Sequence, residues 1–80
     1  MWQSELRELQ LVLSDNIRTL RGRHGLSQER LALEAGVDRT LVSKIERTIA
    51  NPTLEVLTKL AFVLGDPLLD YSKTNYTRNV

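Results

Sequence analysis

LSQERLALEAGVDRTLVSKI, residues 26–45, is the stretch whose reading decides the fold. Ser27 can cap a helix, because its side-chain oxygen accepts from a free amide of the first turn. Leu31, Ala32 and Ala35 then fall on one face of a 3.6-residue period. Gly36 stops this helix, since glycine takes the left-handed C-terminal backbone without a steric penalty. Asp38 caps a second helix, whose apolar face is Leu41, Val42 and Ile45. Only Gly36 and Val37 lie between the two, so the second helix turns sharply across the first. Two short helices around a glycine turn make a helix-turn-helix unit.

Upstream, Leu6, Leu9, Val12, Leu13, Ile17 and Leu20 recur at three- and four-residue steps. They predict a long amphipathic helix from about Ser4 to Arg23. Its first half, with Trp2, carries an extra apolar stripe that covers the core or meets a second subunit; core cover is the commoner use. Gly22 and Gly25 bracket its end, with Gly25 as the cap and His24 exposed between them. Downstream, Glu46 to Pro52 reads as a loop, because proline biases Asn51 away from helix. Thr53 caps a further helix with Leu54, Leu57, Leu60, Ala61 and Leu64 on its buried face and Gly65 at its end. Asp66-Pro67 then reads as the restart of a short fifth helix bearing Leu68, Leu69 and Tyr71. Residues 72–80 are polar and aperiodic, which predicts a poorly ordered tail. The expectation is one compact all-α domain over residues 1–71, with five helices.

Eighty residues suffice for one small domain, and 41% hydrophobic content suffices for its core. Absence of cysteine excludes disulfides and thiolate metal sites and fits a reducing cytoplasm. No apolar run approaches the roughly 18 residues of a membrane span, so a soluble, non-membrane protein is expected. The net charge of +1 is uneven. Residues 18–47 carry seven basic against four acidic side chains, while residues 1–17 and 48–72 are each net −2. Positive charge thus sits on the helix-turn-helix, as a phosphate-facing surface requires. Enzymatic chemistry lacks parts. Ser14, Asp15 and His24 have the residue types of a triad but lie along one helix and cannot converge on one atom. There is no glycine-rich phosphate loop or metal-ligand cluster. No catalytic residue, metal, cofactor or small-molecule ligand is expected.

Asn16-Ile17-Arg18-x-Leu20-Arg21, Gly25-Leu26-Ser27-Gln28, Leu31-Ala32-x-x-Ala35-Gly36-Val37, Val42-Ser43-x-Ile45-Glu46-Arg47 and Asn51-Pro52-Thr53-Leu54, followed by Leu57, Leu60 and Ala61, form a spaced set. Together they resemble the repressor and Cro, or XRE-like, family of helix-turn-helix DNA-binding domains. The resemblance runs over about residues 13–69. It implies a compact repressor-like domain whose third helix enters the major groove of double-stranded DNA. One departure is Thr48, where the family usually has glycine. A threonine there must take a costly left-handed backbone or reshape the turn.

The family's groove-facing positions on the third helix correspond here to Arg39, Thr40, Ser43 and Lys44. Arg39 can pair bidentately with guanine, Thr40 can touch a thymine methyl, and Lys44 can reach guanine or a phosphate. By resemblance Gln28 holds a backbone phosphate and braces the third helix, and an anion suits that helix N-terminus. Ser27, Arg47, Asn51 and Thr53 are further phosphate candidates. Arg21 and Glu46 are implied to form a structural ion pair between the first and third helices. One helix-turn-helix buries little DNA, so a homodimer is expected, with Leu64, Leu68, Leu69 and Tyr71 as its seam. The expected function is sequence-specific transcription regulation at a palindromic operator, as a repressor or restriction-modification controller. The alternative the family offers is an antitoxin that also binds a toxin partner, through the N-terminal extension or the tail.

Overall fold

The structure, a computed structural model, describes residues 1–70. Four helices follow one another: α1 (Trp2–Arg23), α2 (Gln28–Ala35), α3 (Arg39–Glu46) and α4 (Leu54–Leu64). The last three begin where a short polar side chain stands in extended backbone. Ser27 Oγ accepts from the Arg30 amide, Asp38 Oδ1 from Thr40 and Thr53 Oγ1 from Val56. Each bond satisfies one amide that a helix start leaves free. Gly36, at φ 69°, closes α2 with a bond from the Val37 amide to the Ala32 carbonyl, and the chain turns at once into α3.

The apolar stripes of all four helices meet in one core. Ile17 and Leu20 of α1, Leu31 and Ala32 of α2, Val42 and Ile45 of α3, and Leu60 and Leu64 of α4 are buried together. Each large aliphatic side chain there contributes about 1.5–3 kcal/mol by leaving water. The consequence for the site is rigidity: α3 is held by its inward residues and shows its other face outward. Among the described residues no helix is long and apolar enough to cross a membrane.

Two expectations need correction. The fifth helix is absent from the described residues: after Gly65 the chain makes only a turn at Leu68 and Leu69. Buried Asn16 on α1 explains why. Its Nδ2 donates to the carbonyls of Leu68 (2.8 Å) and Asp70 (3.0 Å), satisfying that backbone without a helix. The dimer seam fails in part for a related reason. Leu64 and Leu68 are 1% and 4% exposed and belong to this chain's own core, so neither is available to a partner. Leu69 remains at the surface, and Tyr71 lies outside the described residues, as does the tail. On the extension of α1, half-buried Leu6 and exposed Leu9 line an apolar groove with Leu13, Ala50, Pro52, Leu57 and Leu69. Trp2 at its start stays exposed.

Thr48 ends α3 as glycine would. Its φ is 62°, with its amide on the Ile45 carbonyl and the Ile49 amide on Lys44. A β-carbon in that backbone costs roughly 1–2 kcal/mol. Thr48→Gly should therefore stabilise the fold, by about 0.5–1 kcal/mol once the greater freedom of glycine in the unfolded chain is subtracted. A urea midpoint that moves up with unchanged slope is the expected result. A lower midpoint would mean that the threonine side chain contributes more than its backbone strain costs.

Candidate nucleic-acid interface

At 100° per residue, positions 39, 40, 43, 44 and 47 share an arc of about 140° on α3. Leu41, Val42 and Ile45 occupy the rest. Val42 and Ile45 are fully buried, and this fixes which way the polar arc looks. Arg39, Thr40, Lys44 and Arg47 are exposed, and Ser43 is half-buried. The four expected base-reading residues therefore stand together on one outward face. Arg39 Nη1 lies 3.1 Å from Glu29 Oε1 of α2, an exposed pair that the sequence reading missed. Nothing in the i, i+4 pattern announces it, because it spans the turn.

Four of the phosphate candidates, Ser27, Gln28, Asn51 and Thr53, lie at or just before helix starts, and each keeps a donor beyond its structural bond. Ser27 and Thr53 accept amides as caps, which leaves their hydroxyl hydrogens. Asn51 Oδ1 accepts from Gln10 Nε2 at 2.6 Å, which leaves the Asn51 amide hydrogens. Gln28 Nε2 gives one of its two hydrogens to Glu46 Oε1 at 3.2 Å. Arg47 follows the last turn of α3 and is exposed.

Behind the face sits a charged strut. Arg21 of α1 meets Glu46 of α3 through two bonds, Nε–Oε2 at 2.8 Å and Nη2–Oε1 at 3.0 Å. Arg21 Nη1 also donates to the Leu26 carbonyl at 3.0 Å. The side chains are 23% and 5% exposed, so the carboxylate is the more deeply buried partner. Gln28 completes the set on Glu46, so α1, α2 and α3 converge on one carboxylate. A second missed contact is His24, whose Nε2 lies 2.9 Å from the Leu64 carbonyl at the end of α4. The ring ties the end of α1 to the end of α4.

A short helix held by a buried strut, with a polar face outward and spare donors at neighbouring helix starts, defines a helix-turn-helix nucleic-acid-binding domain. Comparison with known proteins agrees. The helix-turn-helix family model matches residues 17–68. A hypothetical transcription factor of Neisseria meningitidis is 44% identical over 59 residues, which cover 74% of this chain and 56% of that protein. The control protein C.SmaI of Serratia marcescens is 39% identical over 58 residues, covering 72% and 69%. Among solved structures, the hypothetical transcription factor NHTF from Neisseria superposes with a TM-score of 0.75 at 42% identity, covering 80% of this chain and 75% of that one. A mutant of the restriction-modification controller protein C.Esp1396I gives 0.69 at 34% identity, covering 72% and 73%. The chain belongs to the XRE-type helix-turn-helix family of transcription regulators.

Proposed function

We propose that the chain is a non-catalytic, cytoplasmic, homodimeric regulator that lays α3 in the major groove of a two-fold operator. Its role is of the controller kind that its relatives' names describe. One observation carries the reading: after their structural bonds are counted, Ser27, Gln28, Asn51 and Thr53 each retain a donor, and Gln28 shares a surface hollow with Arg39, Thr40 and Ser43. Such donors hold backbone phosphates and set register, while Arg39, Thr40, Ser43 and Lys44 read base edges. The partner is a second copy. With Leu64 and Leu68 committed to the core, the seam falls on Leu69 and the outer side of α4, where Leu54 is 79% exposed beside Ala61 and Pro67.

Selection of bound duplexes from a random pool is the test. The expected product is a palindromic consensus whose half-sites lie about 34–36 Å apart, one helical turn. Sedimentation at micromolar concentration should give a dimer. A monomer with and without the selected DNA, or a pool with no consensus, would overturn the reading.

A further inference from the structure

Arg7, Gln10 and Ser14 stand at i, i+3 and i+7 on α1, one polar stripe of a helix. Arg7 and Gln10 reach the α3–α4 loop about forty residues away, and Ser14 reaches the last residue of α3 just before it. Ser14 Oγ donates to the Glu46 carbonyl at 2.6 Å. Gln10 Nε2 donates to Asn51 Oδ1 at 2.6 Å and to the Ala50 carbonyl at 3.4 Å. Arg7 Nη1 donates to Thr48 Oγ1 at 2.7 Å and to the Thr48 carbonyl at 3.2 Å. The loop they reach is the one that needs holding, since Thr48 sits at φ 62° without being glycine. It also joins the end of α3 to Asn51 and Thr53.

We propose that the N-terminal part of α1 is a clamp on the α3–α4 loop, with Arg7 and Gln10 as positioning residues for the phosphate contacts of Asn51 and Thr53. This rests on the DNA-binding reading above. The division of labour is set by burial. Ser14 is 0% exposed and belongs to the core. The bonds of Arg7 to Thr48 and of Gln10 to Asn51 are exposed, and the longer bond of Gln10 to the Ala50 carbonyl is only part-buried, so their removal strands no fully buried group. Arg7 holds the strained residue from both its carbonyl and its hydroxyl. Gln10 bonds Asn51 Oδ1 and so fixes the side-chain amide, whose two N–H donors this contact does not use. Those donors suit a phosphate. The clamp therefore acts on DNA through the loop, and Arg7 need not touch DNA itself.

The test uses the whole chain carrying Arg7→Ala and Gln10→Ala together, with Arg7→Lys as the conservative variant. Amide exchange is read at Thr48 and Ile49, whose bonds close on Ile45 and Lys44. The double variant should exchange there about tenfold faster, while α1 and α4 core amides change far less. Its affinity should fall about three- to tenfold, evenly across operator variants, because phosphate contacts carry no sequence information. The salt slope should stay put, and Arg7→Lys should recover most of the affinity. Unchanged exchange at Thr48 and Ile49 would overturn the clamp. A salt slope lower by about one per site would also overturn it, by showing Arg7 on a phosphate. Wild-type protein that binds no selected DNA would instead overturn the DNA-binding reading, and the exchange measurement would still decide the clamp.

Discussion

Glu46→Ala should lower folding stability by about 3 kcal/mol. The carboxylate receives Arg21 through two bonds and Gln28 through a third, and its side chain is 5% exposed. Removing it strands a charged guanidinium. The expectation sits at the low end of the usual 3–5 kcal/mol for a broken buried pair. The reason is that Arg21 is 23% exposed and keeps the Leu26 carbonyl. Arg21→Ala strands the more buried charge and should cost at least as much. Replacing both partners by apolar residues of similar size should recover much of the loss, since the desolvation of two charges is then avoided. Urea melting of the two single variants and the double decides. A Glu46→Ala loss below about 1 kcal/mol would place the pair among exposed ion pairs, contrary to its burial.

Arg39→Ala and Gln28→Ala should fail in different ways. Arg39 is the first residue of α3, where a cation opposes the helix dipole. Its removal should slightly stabilise the fold, by some tenths of a kcal/mol. Its exposed pair with Glu29 holds it at a cost to binding of no more than about 1 kcal/mol. Bidentate pairing with guanine is worth roughly 1–3 kcal/mol of discrimination. Arg39→Ala should thus weaken the best site by about five- to 150-fold and leave non-specific DNA little changed. Gln28→Ala should weaken all sequences by similar factors, with the salt slope nearly constant, because glutamine is neutral. It should also lower stability modestly, since Glu46 loses a donor. Titrations against single-base operator variants at two salt concentrations separate the two. An even loss across the panel for Arg39→Ala would make Arg39 a phosphate contact.

Much of this was legible from local chemistry. Ser27, Asp38 and Thr53 each begin a helix in the structure, because capping depends on a few consecutive residues. The left-handed backbone at Thr48 was one of two outcomes visible from a threonine in a glycine position. What failed depended on distant partners. Asp66-Pro67 carries a good helix start, yet the chain there makes a turn docked on Asn16, fifty residues upstream, through the carbonyls of Leu68 and Asp70. The same docking draws Leu68 inward, into the core of this chain. Arg7 and Gln10 drew no notice in the sequence, where they are ordinary polar residues of an amphipathic helix. Only the fold shows that the α3–α4 loop lies beside it. Leu54, strongly exposed at the start of α4, was read with a buried face that only Leu60 and Leu64 fully occupy.

The central claim is that α3 reads bases from the major groove, and interference by guanine N7 methylation tests it at a single atom. N7 lies in the major groove and is one of the two atoms an arginine pairs with. Methylating one guanine in each selected half-site should block the wild-type protein. The same methyl group should scarcely affect Arg39→Ala, which has already lost that contact. If no N7 methyl group in the half-sites interferes with the wild type, or if the Arg39→Ala interference pattern matches the wild-type one, α3 does not read DNA as described.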